Sequence, residues 1–117
     1  MTSILLIVHG LFAVVLVGGI THQAAAACWP APKGGSSFLV SFRAVAGVRY
    51  TTVNIVLYLL TAILGAVIYP AYTLAVRPYL VSAQIWTING TFELKEQFVT
   101  LGLGLLPLYW LVWRAPP

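Results

Sequence analysis

Three long apolar runs divide the chain, separated by short stretches rich in proline, glycine and charge. The first extends from Ile4 to Ala27 and reaches Lys33 before any charged residue appears. About 20 consecutive apolar residues are enough for a helix to cross a bilayer, so this run predicts a transmembrane helix over about 4–27. Pro30 and Pro32 stop it, and Trp29 suits the membrane–water interface. The second run lies between Arg49 and Arg77 with no charge inside it, which predicts a helix over about 50–76. Pro70 leaves the carbonyl of Ala66 without its helical donor, so a kink is expected there. Arg77-Pro78 is expected to close this helix, with a loop over Tyr79–Gly90. Asn89-Gly90-Thr91 reads as a turn, and Asn89 or Thr91 could cap a third helix over about 91–113. Phe38–Val48 is apolar but holds Arg43 and is too short to span, which predicts an interfacial helix over about 38–48. The expectation is an all-α integral membrane protein whose residues 1–117 form a single transmembrane helical domain.

Composition strengthens this reading. Of 117 residues, 61% are hydrophobic and 7% are charged, where soluble domains carry about 25% charged residues. The mean hydropathy is +0.97, and a soluble fold this short could not hide so much apolar surface. The first run lacks the positively charged start of a signal peptide, and His9 interrupts it, so it reads as a membrane helix. The net charge of +4 comes from basic residues standing singly at the ends of apolar runs. Such placement signals topology and headgroup contact, with no nucleic-acid partner implied. The single Cys28 excludes an internal disulfide. With three spans, Lys33, Arg43, Arg49 and Arg114 share one side, and Arg77 and Lys95 the other. The positive-inside rule then puts the N-terminus outside and the C-terminus in the cytoplasm, with the bacterial inner membrane as the expected location.

Helical spacing assigns faces. In the third run, Glu93, Gln97, Thr100, Gly104 and Pro107 form a polar and small stripe. In the second, Asn54, Tyr58, Thr61, Gly65, Tyr69 and Tyr72 form another. Polar groups in lipid seek partners, and small residues let backbones approach closely. Both stripes are therefore expected to face protein or cofactor, with Asn54, Tyr58, Thr61, Gly65, Thr100 and Gly104 as helix-packing positions. His9 and His22 are separated by about 20 Å along a helix and about 140° around it, so they should not serve one site. The topology groups His9, Tyr69, Tyr72, Arg77, Glu93 and Glu96 in an outer layer. His22, Gln23, Asn54, Tyr58 and Tyr109 fall in an inner one.

Intramembrane ionisable residues point to function. His22, with Gly18 one turn before it, or His9 could ligate the metal of a haem or (bacterio)chlorophyll. The second and third runs hold no histidine, so a bis-histidine haem within this chain is not expected. The plainer role for either histidine is an interhelical hydrogen bond or a partner contact. Glu93 and Glu96 could pass protons, bind a cation or pair with Arg77; the plainer role is a solvated helix start stabilised by the helix dipole. No nucleophile–base triad, phosphate loop or cysteine cluster is present, so an independent enzyme is not expected. Size, composition and the polar stripes point to a small accessory transmembrane subunit of a larger complex, energy-transducing in respiratory or photosynthetic electron transfer. Its partners would be other membrane subunits and lipid, and its work packing, assembly and the enclosure of cofactor or lipid. The alternatives are a homo-oligomeric channel or transporter with Glu93 and Glu96 at its mouth, and a haem- or pigment-binding subunit using His22 or His9.

Overall fold

The computed structural model describes residues 2–29, 37, 38, 40 and 47–114. Among these, all regular structure is helical, in three long helices: α1 (Thr2–Cys28), α2 (Val48–Ser82) and α3 (Trp86–Arg114). α1 and α2 are long and apolar enough to cross a membrane, with mean hydropathies of 2.5 and 2.1. α3 has 29 residues, about 43 Å at 1.5 Å per residue. The charges near its start keep it outside that pair. The interfacial helix expected over 38–48 falls largely outside the described residues.

The second helix runs further than the apolar pattern predicts. Arg77-Pro78 does not end it. One π-helical stretch, Tyr72–Val76, precedes Arg77–Ser82, and the N–H of Arg77 bonds the carbonyl of Tyr72. A proline inside an α-helix clashes with the carbonyl four residues back. The wider π turn just before Pro78 changes that register and lets the helix continue.

The expected loop over Tyr79–Gly90 shrinks to a turn at Ala83–Ile85. Its hydrogen bonds explain why. The N–H of Ile85 bonds the carbonyl of Leu80 at 2.8 Å, and the N–H of Gln84 that of Val81 at 3.1 Å. This is a Schellman ending, with Gln84 in the left-handed region at φ 56° where glycine is usual. The non-glycine residue hid the turn from the sequence. As a result α3 starts at Trp86, and Asn89 and Gly90 lie inside it rather than capping it.

α2 is the central helix; α1 and α3 both pack on it. The packing is inverted relative to a water-soluble core. Among the described residues, the buried side chains are Leu16 and Leu80 together with the polar Gln23, Thr51 and Asn54. Large apolar side chains such as Leu6, Val14, Phe98 and Leu111 are exposed. Buried polar groups under an apolar exterior are the informative deviation from soluble proteins, and they suit a surrounding that offers no hydrogen bonds.

Glycines mark the closest approaches. A Cβ on Gly19 would run into Asn54 Oδ1, and one on Gly47 would lie 2.6 Å from the Trp113 ring. A Cβ on Gly102 would meet the Tyr58 hydroxyl, whereas one on Gly104 would meet nothing within 4 Å. The half-buried face of α3 runs through Phe92, Glu96, Val99, Gly102, Leu106, Tyr109 and Trp113. Glu93, Gln97, Thr100, Gly104 and Pro107 are exposed, and of this stripe Glu93 reaches α2 through its ion pair with Arg77 while Thr100 lines the groove beside it. The spacing alone could not choose between these two neighbouring stripes. The tightest contact falls to Gly102 because Tyr58 reaches over it.

Candidate functional site

The polar side chains gather in two layers at opposite ends of a groove. In the first layer, Gln23 of α1 reaches α2. Its Nε2 donates to the Gly47 carbonyl at 2.9 Å and to Thr51 Oγ1 at 3.2 Å. Asn54 Nδ2 donates to Gln23 Oε1 and to the Tyr109 hydroxyl, each at 3.1 Å. The Tyr109 hydroxyl in turn donates to Gln23 Oε1. One cluster thereby joins all three helices, and an amide that would be costly in an apolar setting finds partners on both sides. Sequence spacing placed Gln23, Asn54 and Tyr109 together and missed Thr51, which lies one turn before Asn54. His22, of the same expected layer, packs against Tyr50 with tilted rings whose centroids are 5.0 Å apart. Gly18 is exposed, with open space where a Cβ would stand. Tyr58 points elsewhere, its hydroxyl donating to the Val99 carbonyl at 2.9 Å.

The second layer is aromatic and charged. The Tyr72 and Phe92 rings stack at 3.7 Å, with Tyr69 alongside. The Tyr72 hydroxyl donates to Asn89 Oδ1 at 3.2 Å, and Asn89 Nδ2 to Glu93 Oε1 at 3.1 Å. Arg77 completes the chain with an ion pair to the same oxygen at 3.0 Å. The two carboxylates therefore part company. Glu93 belongs to this exposed network. Glu96, three residues on, is half-buried and its side chain makes no ion pair or hydrogen bond among the described residues. Lys95 lies over the Phe92 ring, 4.7 Å from its centroid.

Between the layers, α1 and α3 stand apart across α2 and enclose a cavity of about 550 Å³. Ala13, Ala62, Gly65 and Ala66 leave the space, Leu16, Val99 and Leu103 make it oily, and Tyr58, Tyr69 and Phe92 supply flat ring walls. His9, Lys95, Glu96 and Thr100 also line it. A pocket of this size, mostly apolar with a few polar groups, has the character of a small-molecule site. His9 is held in one orientation. Its Nδ1 lies 3.0 Å from the Thr61 carbonyl oxygen, which can only accept, so Nδ1 carries the proton. Gly65 lets the ring sit there, since a Cβ on it would come within 3.3 Å of His9 Cε1. In neutral imidazole Nε2 is then a lone-pair donor, and it makes no hydrogen bond among the described residues. No group of three or more His, Cys, Asp or Glu stands close enough to hold a metal ion among the described residues.

No protein family, no curated protein and no solved structure matches this chain.

Proposed function

We propose that this chain is a small three-span accessory subunit of an energy-transducing membrane complex, where it encloses a lipid-soluble cofactor or lipid between α1 and α3. The carrying observation is the groove itself. It is mostly apolar, walled by rings and small residues, and supplied with an imidazole Nε2 and a carboxylate that make no hydrogen bond among the described residues. Polar groups at such depth are costly unless they meet a partner, and a bound amphiphile or a neighbouring subunit supplies one. α3 acts as the third span in this reading. It packs along α2 and ends in Trp110, Trp113 and Arg114, as an interfacial anchor does. The positive-inside rule then sets the N-terminus outside and the C-terminus in the cytoplasm.

The reading is tested by solubilising the protein in mild detergent, identifying co-migrating chains, and extracting the purified material for mass spectrometry. A stoichiometric amphiphile accompanied by partner subunits is expected. A monodisperse chain with neither would overturn it.

His9 favours a second reading, ligation of a haem or chlorin metal. Metal-ligating histidines characteristically donate their other ring N–H to a carbonyl or carboxylate, as His9 Nδ1 does to Thr61. A visible absorption band lost in His9→Phe would support it.

A further inference from the structure

The groove is specific about what its ligand must bring. Three hydroxyl protons along its walls are committed to backbone carbonyls: Thr61 to Leu57 at 2.7 Å, Thr100 to Glu96 at 3.0 Å, and Tyr58 to Val99 at 2.9 Å. Two groups on the walls make no hydrogen bond among the described residues, the Glu96 carboxylate and His9 Nε2, an acceptor in the tautomer whose Nδ1–H meets Thr61. Register places them at one level. On α2, the Thr61 and Gly65 contacts of His9 lie between Tyr58 and Tyr69. On α3, Glu96 lies between Val99, which meets Tyr58, and Phe92, which stacks beside Tyr69. His9 stands on the α1 wall and Glu96 on the α3 wall. The remaining donors, Tyr69 and Lys95, sit further along, at the level of Phe92.

Two acceptors on opposite walls of a ring-lined groove match a flat molecule with a hydrogen-bond donor on each opposite edge. Resting on the reading of the groove as an amphiphile site, we propose that it binds the reduced head of an isoprenoid quinone. One phenolic O–H would donate to His9 Nε2 and the other to the Glu96 carboxylate. The ring lies among Tyr58, Tyr69 and Phe92, and the small residues Ala62, Gly65 and Ala66 leave room for its substituents. The tail leaves past Leu16 and Leu103 toward lipid. The site selects hydroquinone over quinone, because the oxidised head offers carbonyl oxygens to two groups that need protons.

The test uses the full chain, or its complex where one co-purifies, in nanodiscs. Equilibrium binding is measured for a decyl-tailed benzohydroquinone kept reduced, its quinone, and its dimethyl ether, which keeps the shape and lacks both donors. The hydroquinone is expected to bind at least about tenfold more tightly than the other two, since a hydrogen bond to a charged acceptor contributes at that scale. Glu96→Gln and His9→Phe should each weaken hydroquinone binding by about tenfold and leave the dimethyl ether unchanged. Ala66→Phe, which fills the groove, should abolish binding of all three. Glu96→Gln carries the test of the hydrogen bonds if His9→Phe fails to fold. Equal affinity for hydroquinone and quinone, or full affinity in Glu96→Gln, overturns the proposal. A co-purified phospholipid that the hydroquinone does not displace overturns it too, while leaving the enclosure reading intact; a bound chromophore ligated by His9 does the same. A groove that binds no amphiphile of any kind removes both.

Discussion

Glycines at Gly102 and Gly104 look equivalent in the sequence and differ in the structure by what stands over them. A methyl group on Gly102 runs into the Tyr58 hydroxyl and breaks its bond to Val99, so Gly102→Ala is expected to cost about 1–3 kcal/mol. Gly104 faces open space, and Gly104→Ala should be neutral or gain up to about 1 kcal/mol from helix propensity. Unfolding of both variants in mixed micelles compares them directly. The Gln23–Tyr109 contact admits a similar test. A double-mutant cycle with Gln23→Leu and Tyr109→Phe should return a coupling of about 1 kcal/mol, the scale of interhelical hydrogen bonds in membranes. Zero coupling would show that Asn54 alone satisfies the Gln23 carbonyl. Some of this was legible beforehand. Gln23 and Asn54 stand out as amides in apolar runs, so their need for partners could be read directly. Thr51 could not, because a threonine in a helix can satisfy itself on its own backbone.

At the scale of elements, the apolar runs located the helix centres and missed two boundaries. Both misses come from backbone devices that lack their usual residue. The turn between α2 and α3 uses glutamine where the left-handed conformation favours glycine, and Pro78 is absorbed by a π turn instead of ending its helix. The first makes a prediction. Gln84→Gly should stabilise the hairpin by about 0.5–1 kcal/mol, the relief of left-handed strain less the added freedom of the unfolded chain. A lower melting temperature in that variant would mean that the Gln84 side chain, rather than the Schellman bonds, holds the turn. The groove was legible only in part. The topology grouped His9 and Glu96 in one outer layer, but the spacing gave no sign that Glu96 lines the groove while Glu93 pairs with Arg77.

For the whole molecule, the described residues bury amides and expose leucines, valines and phenylalanines, a distribution that suits a lipid surrounding. The proposed orientation has a direct check in Cys28, which is exposed at the end of α1. A membrane-impermeant maleimide should label it in inverted inner-membrane vesicles and spare it in intact spheroplasts. The reverse pattern would invert the topology. The amide cluster also bears on how such a chain is made. Gln23 finds Gly47, Thr51 and Asn54 on the helix synthesised immediately after its own, and Tyr109 arrives only near the end of translation. In the proposed three-span reading the first two helices can pair through Gln23 before α3 arrives, although Asn54 Oδ1 stays buried without a hydrogen-bond partner even in the finished chain. The third docks onto a finished surface. In the proposed reading the groove beside His9 has only two of its walls until α3 docks, so a molecule it is to hold could be loaded from the side during biogenesis.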